Sequence, residues 1–241
     1  MIVKTKAIVL KTINYLDTSV VVQLYTEEKG RLSILVNGVR SKKKGKKIMF
    51  FQPASMLELD LYYNPKRELQ SIKEVNLAYF YQSLPYNPVK STIALFLCDV
   101  LTKILIEEEK NQPLFAFLSG KFTEFDTQKE DIENFHLFFL IQLSHYLGFL
   151  PNNNYSKEKK YFDMLNGKFV ELMPTHSNFS NQEESKLLGQ LLDCSEKNKI
   201  SIKNHERKIL LKLILQFYKT HNENVQNLKS LDILIPFIFI F

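Results

Sequence analysis

The hydrophobic pattern of this chain changes period once, close to residue 85, and this change constrains the fold more than any other feature. Before it, apolar residues alternate with polar ones in short runs, as in residues 56–63. A period of two is typical of β-strands with one buried face. After Pro85 and Pro88, apolar residues recur every three or four positions, the period of amphipathic helices. The pattern predicts a strand-rich domain over 1–80 and a mainly helical domain over 81–241.

The first domain holds five strand-like segments within about 75 residues, with no long helix between them. Gly30 and the Asn37-Gly38 pair supply turn signals. Short strands at this spacing predict a small closed barrel. The five segments cover residues 7–13, 19–25, 31–36, 56–63 and 69–76.

The second domain combines predicted helices with one irregular insert. The insert covers about 152–180, where Asn166-Gly167 predicts a hairpin turn. Ser180 and Glu183 have the spacing of a capping box at the start of a helix. The predicted helices cover about 88–104, 113–125, 131–147, 180–192 and 204–220.

A dense basic run lies between two of the predicted strands, at residues 40–47. The first 80 residues carry a net charge of +7 and the remaining 161 carry −1, so the positive excess of the chain lies in the barrel half. Lysines beside phosphates supply sequence-independent affinity by releasing counterions. A solvated loop without a ligand is the alternative for the run taken alone. The residues expected to contact phosphate are Arg31, Arg40, Lys42, Lys43, Lys44, Lys46 and Lys47.

Base stacking would also need exposed aromatic side chains in the barrel domain. For each candidate, packing in the core is the simpler interpretation. Tyr62 and Tyr63 are adjacent in one strand and point to opposite faces, so one of them is expected outside. The candidates are Tyr15, Tyr25, Phe50, Phe51, Tyr62 and Tyr63.

Enzyme chemistry has little support in the sequence. The five histidines are scattered without ligand spacing, and no phosphate-cradling glycine motif occurs. Cys98 and Cys194 lie in apolar helical patterns and are expected to be buried free thiols. We therefore expect no catalytic residues, no cofactor and no metal. The absence of a signal-type segment and of a membrane-length apolar stretch predicts a cytoplasmic protein.

Several segments also match a known family. They are residues 6–11, Tyr15, Asp17, Ser19, 24–31, 38–40, Gln52, Pro53, 57–62, Glu74, 147–149, Pro151 and 228–231. On these segments the chain resembles the bacterial recombination mediator family RecO. The resemblance is extended in the N-terminal half and limited to scattered points in the helical half.

The resemblance implies an α+β architecture, with a five-stranded OB-fold barrel before a mainly helical domain. Many family members carry a four-cysteine zinc element after the Gly-Phe-x-Pro segment, but residues 152–174 contain no cysteine. We therefore expect a metal-free insert held by packing.

The resemblance also implies a non-enzymatic, nucleoid-associated protein of DNA repair and recombination. Such a protein binds single- and double-stranded DNA, anneals complementary strands and helps load recombinase onto DNA coated by single-strand-binding protein. Its implied partners are RecR and the C-terminal tail of the single-strand-binding protein. The alternatives are a protein-interaction scaffold whose basic loop binds an acidic partner and, with less support, a metal-dependent nuclease.

Overall fold

The computed structural model describes residues 1–39, 45–193 and 201–238, and of residues 45–47 and 238 it describes only the backbone. Five strands close an N-terminal barrel in the order β1-β2-β3-β5-β4, and among these described strands only β3 and β5 pair in parallel. A mainly helical region follows, which confirms the predicted fold class. The barrel strands are β1 Ile2–Tyr15, β2 Ser19–Thr26, β3 Gly30–Val36, β4 Met56–Tyr62 and β5 Leu69–Leu77.

The α-helices of the described chain are α1 Pro88–Ile104, α2 Gln112–Thr127, α3 Phe135–Tyr146, α4 Gln182–Asp193, α5 Asn204–His221 and α6 Leu231–Ile238. The 3-10 helices Gly45–Phe51 and Ile132–Asn134 precede β4 and α3. A small sheet is formed by β6 Tyr161–Asp163, β7 Lys168–Val170 and β8 Phe179–Ser180.

The first strand shapes the barrel because it pairs on both sides. Its first half pairs with β4 and its second half with β2, with a register shift between Val9 and Lys11. Such an irregularity bends a strand and increases its twist, which helps a small barrel to close. The strand begins at Ile2, five residues before the predicted start. The buried core of the barrel includes Val9, Val20, Val22, Leu24, Ile34, Leu57 and Leu61.

The chain forms two compact units, and the first consists of residues 1–129 with 228–231. In this unit α1 packs on β1, and the Cys98 sulfur lies 3.7 Å from the Val9 carbonyl oxygen. The Asn87 side chain accepts hydrogen bonds from the first turn of α1, with Pro88 next to it, so the cap has the predicted form. The helices α1 and α2 thus lie in the same unit as the barrel. The division of sequence domains at residue 80 stays a prediction.

The second unit covers the described residues of 130–227 and 232–238. Its insert contains the predicted hairpin, in which Phe162 of β6 pairs with Phe169 of β7 across the Asn166-Gly167 turn. The two rings are buried, with centroids 4.9 Å apart. The Asp163 carboxylate accepts hydrogen bonds from the backbone N–H groups of residues 165 and 166 in the turn. Aromatic packing and a carboxylate-capped turn therefore hold the insert.

Two local features differ from what the sequence pattern indicates. The capping box of α4 is formed by Asn181 and Glu184, one residue later than predicted, because Ser180 belongs to β8 and its hydroxyl contacts that of Ser185. The apolar C-terminal segment, which is not among the predicted helices, forms α6 although it contains Pro236. Pro236 lacks the backbone N–H that would bond four residues back, so α6 forms with one intrahelical hydrogen bond fewer.

Candidate nucleic-acid interface

The basic run, residues 40–47, lies on the connection between β3 and β4, and we call it the basic segment. Arg40, Lys42, Lys43 and Lys44 lie outside the described residues, and Lys46 and Lys47 are described by backbone alone, in the first turn of a 3-10 helix. The residues that flank the run are buried in the barrel. Val39 before it and Phe51 after it are 2% and 1% exposed and belong to the barrel core. Both ends of the basic segment are therefore anchored in the barrel.

The hairpin between β1 and β2 lies beside these anchors. The Ser19 hydroxyl donates to Asn37 Oδ1 over 3.0 Å, at the start of the basic connection. The Thr12 hydroxyl donates to the carbonyl oxygen of Phe51, the last residue of the 3-10 helix that contains the end of the basic run. These hydrogen bonds place the β1–β2 hairpin next to the residues that flank the basic segment.

An apolar row crosses the outer surface of the barrel near this hairpin. Ile13 pairs with Val21, and Val21 pairs with Leu35, so three apolar side chains from three strands lie side by side. Their neighbours Val20, Val22 and Ile34 fill the barrel interior, so the row faces outward. Ile13 is 41% exposed.

Lys11 and Tyr15 flank Ile13 at alternate positions of β1 and therefore share its face. Lys11 is exposed, and Tyr15 is 44% exposed. We call Lys11, Ile13, Tyr15, Val21 and Leu35 the outer face. A cation and an exposed aromatic ring are components of a single-strand binding surface, and here the apolar row lies beside them.

The structure separates the six aromatic candidates. Tyr25 and Phe51 are buried, and Tyr25 stacks on Phe115 of α2. Tyr62 is 54% exposed and Tyr63 only partly, which confirms that one of the adjacent pair lies outside. Among the six, Tyr15 and Tyr62 are thus the exposed rings, and only Tyr15 lies on the hairpin beside the basic segment.

Arg31 has a structural role that the sequence pattern does not indicate. Its Nη1 donates to the carbonyl oxygens of Thr102 and Leu105 over 3.0 and 2.9 Å, and its backbone N–H donates to that of Glu107. Burial lowers the pKa of the guanidinium, and the charge of Glu108 opposes this. These bonds tie the β2–β3 turn to the end of α1, which a sequence pattern cannot reveal because the partners are more than 70 positions away.

A second face of the barrel, not indicated by the sequence pattern, is less suited to a polyanion. It is a depression of about 460 Å³ on β1, β4 and β5. The Oδ2 atom of Asp60 lies 3.9 Å from the Nζ atom of Lys4 and 3.8 Å from that of Lys73, so these cations are close to a carboxylate. The carboxylates carry the same sign of charge as phosphate and repel it, so this face is a poor site for DNA. Its other carboxylates are Glu27, Glu58 and Glu74.

Burial shifts the pKa of two groups that often take part in catalysis, His136 and Cys98. His136 is fully buried, and burial together with the charge of Arg207 lowers its pKa to about 3, so the ring is neutral at pH 7. Cys98 is a buried free thiol as predicted, and burial raises its pKa to about 12, whereas Cys194 lies outside the described residues.

Within residues 1–39, 45–193 and 201–238, no group of three His, Cys, Asp or Glu side chains could hold a metal ion. No helix in these ranges is both long and apolar enough to cross a bilayer.

Comparison with known proteins gives a consistent result over the whole chain. The family model "Recombination protein O N terminal" matches residues 1–81, and "Recombination protein O C terminal" matches residues 85–232. The DNA repair protein RecO of Phocaeicola vulgatus is 40% identical over 236 residues, which cover 97% of this chain and 98% of the relative. Those of Bacteroides fragilis and Flavobacterium johnsoniae are 40% and 38% identical with the same coverage.

Proposed function

Because the chain belongs to the recombination protein O family of DNA repair proteins, we propose that it acts as a non-enzymatic recombination mediator. In this role it binds single- and double-stranded DNA, anneals complementary strands and helps load recombinase onto DNA coated by single-strand-binding protein. Its proposed partners are RecR and the C-terminal tail of that single-strand-binding protein. In the cell it is associated with the nucleoid.

The observation that carries the proposal is that the residues flanking the basic segment are anchored beside an exposed aromatic and apolar face. Cations neutralise the phosphates, and the outer face offers a ring on which a base can stack. The residues proposed to contact phosphate are Arg40, Lys42, Lys43, Lys44, Lys46 and Lys47. Arg31 is excluded from this set because its guanidinium is bonded to two carbonyl groups of the first unit.

The decisive experiment is annealing of complementary oligonucleotides, with and without single-strand-binding protein. We expect annealing in both cases, with no cleavage of DNA in added magnesium or manganese. Annealing of bare strands alone would limit the protein to a basic annealer. Absence of annealing in both cases would contradict the proposed function.

Replacing Lys42, Lys43, Lys44, Lys46 and Lys47 by glutamine should weaken binding to single-stranded DNA about tenfold or more at about 0.1 M salt. It should also flatten the slope of log affinity against log salt by about 3.5, because each of the five lost phosphate contacts contributes about 0.7. Fluorescence anisotropy of a labelled oligothymidine measures both quantities.

A charge-matched control replaces five exposed lysines elsewhere by glutamine, and its slope should stay close to that of the unmodified protein. Equal slopes for the loop variant and this control would remove the loop from the mechanism. The control lysines are Lys157, Lys160, Lys168, Lys186 and Lys229.

Replacement of Tyr15 by alanine should weaken oligothymidine binding about five- to hundredfold, since stacking of one base on an aromatic ring contributes about 1 to 3 kcal/mol. Tyr15→Phe should retain most of the affinity because the ring remains. Tyr62→Ala, at an exposed ring away from the basic segment, is the matched control. Equal affinities of Tyr15→Ala and Tyr62→Ala would show that Tyr15 does not stack on a base.

A further inference from the structure

The solvent-facing side of α5 carries basic residues along its whole length. His205, Lys208, Lys212 and Lys219 are exposed, with Gln216 between the last two lysines. The spacings of three, four, four and three residues place all five within an arc of about 80°, at about 100° per residue. We call these five residues the α5 basic stripe.

The opposite side of α5 is fixed in the core of the second unit, so the direction of the stripe is determined. Leu210, Ile214 and Phe217 are 1 to 2% exposed. Tyr218 is also buried, and its hydroxyl donates to the carbonyl oxygen of Leu140 on α3. The helix cannot rotate without exposing these side chains, so the stripe faces solvent.

The charge of the stripe is not neutralised by its neighbours. In the part of the chain that the structure describes, Lys208, Lys212 and Lys219 have neither an ion pair nor a side-chain hydrogen bond. The one acidic residue of α5, Glu206, accepts a hydrogen bond from the backbone N–H of Lys203 over 2.8 Å. Its carboxylate therefore caps the helix and lies outside the stripe.

A merely solvated face would be expected to mix both signs of charge. Lysines four positions apart, such as Lys208 and Lys212, repel each other and slightly destabilise a helix, whereas a glutamate at either position would stabilise it. A helix face with only positive charges is therefore slightly less stable than one with mixed charges. A polyanionic ligand would turn that loss into a gain.

We propose that the α5 basic stripe binds the sugar–phosphate backbone of a DNA strand, as a contact site separate from the basic segment, residues 40–47. This inference rests on the proposed function, which supplies the polyanion. At about 1.5 Å per residue, Lys208 and Lys212 are separated by about 6 Å along the helix axis, and the stripe spans about 21 Å. A stacked strand has one phosphate about every 3.4 Å, so the stripe matches about six nucleotides.

The stripe has the chemistry of a backbone site rather than a base site. It contains no phenylalanine, tyrosine or tryptophan on which a base could stack. A strand held through its phosphates keeps its bases free to pair. The stripe therefore suits the strand that is to be annealed, whereas the outer face of the barrel can stack bases.

The test is the triple variant Lys208→Gln, Lys212→Gln and Lys219→Gln in the full chain. We expect the salt slope for a long oligothymidine to fall by about 2, at about 0.7 per contact, and annealing to slow. The control triple variant Lys157→Gln, Lys160→Gln and Lys168→Gln should keep the slope, and a triple lysine-to-arginine variant of the stripe should restore it. Unchanged thermal unfolding verifies that the exposed substitutions leave the fold intact.

The outcomes distinguish this inference from the proposed function. If the stripe variant keeps the slope of the unmodified protein while the loop variant loses it, the inference is wrong and DNA binding by the barrel stands. An unchanged slope overturns the inference even if the variant loses binding to an acidic protein. If the unmodified protein binds no DNA, both fail.

Discussion

Replacement of Asp126 by alanine is expected to lower the free energy of unfolding by about 3 to 5 kcal/mol, because it removes the acceptor of a buried polar network. Asp126 is 2% exposed, and its carboxylate accepts from the backbone N–H groups of residues 82–84 over 2.7 to 2.8 Å. Without it, three backbone donors lose their acceptor, and the N–H group of Leu84 is buried. Lys90, 3% exposed, would also lose the nearby negative charge.

The same network predicts that the free energy of unfolding depends on pH. Burial alone would raise the pKa of Asp126, but the hydrogen bonds from the backbone outweigh it, and the pKa lies below its ordinary value. The stabilisation is therefore fully present above the unfolded pKa of about 3.9 and is lost as pH falls through the lower folded value. Below about pH 4, the difference in unfolding free energy between the unmodified protein and Asp126→Ala should shrink.

Urea unfolding of matched variants tests this prediction. Tyr79→Phe removes one hydroxyl that lies 3.3 Å from the Asp126 carboxylate and should cost about 1 kcal/mol or less. Asp193→Ala removes an exposed carboxylate with one hydrogen bond to Asn153 and should cost about 0.5 kcal/mol or less. If Asp126→Ala lowered the free energy of unfolding as little as Asp193→Ala, the prediction that the Asp126 network stabilises the fold would be wrong.

Replacement of Gly30 by alanine should destabilise the first unit by about 3 kcal/mol or more, because the substitution combines the cost of a left-handed conformation with overpacking. Gly30 has a φ of +56°, and a Cβ atom there would lie 2.3 Å from the carbonyl oxygen of Glu109 and 2.7 Å from that of Glu107. Both obstacles are backbone atoms, so no side-chain rotation relieves the clash.

Two other glycines separate these two costs. Gly38 has a φ of +72° and nothing within 4 Å of the point where a Cβ atom would lie, so Gly38→Ala should cost about 1 to 2 kcal/mol from conformation alone. Gly120 on α2 has open space and an ordinary helical backbone, so Gly120→Ala should stabilise by up to about 1 kcal/mol. Thermal unfolding should rank the variants in this order, and equal losses for Gly30→Ala and Gly38→Ala would disprove the close approach.

Much of the fold could be predicted because it follows from local pattern. Alternation of apolar residues places all five barrel strands, and the helical period places α1 and α5 close to their observed ends. The Asn166-Gly167 turn and the Asn87-Pro88 cap are local signals as well. Nothing local indicates α6, because a proline inside a short apolar segment suggests a break.

The candidate site was only partly predictable. The basic run is visible as composition, but the position of Tyr15 beside it depends on the bond from Ser19 to Asn37, 18 positions apart. The prediction of a phosphate contact for Arg31 stays untested: its charge is visible in the sequence, whereas the carbonyl groups that it binds at the end of α1 are not. The stripe on α5 was hidden by the net charge of the second half, since an average over 161 residues discards which side of a helix each lysine occupies.

Periodicity and turn chemistry act between near neighbours, so the fold class, the order of the elements and the place of the basic segment follow from the sequence. Which charges are available to a ligand depends on contacts between distant residues. Arg31 is bonded to the end of α1, and Asp60 lies near two lysines. The lysines of the α5 basic stripe face solvent without an ion pair in the described residues. Burial and long-range hydrogen bonds make that difference, and they arise only when the chain has folded.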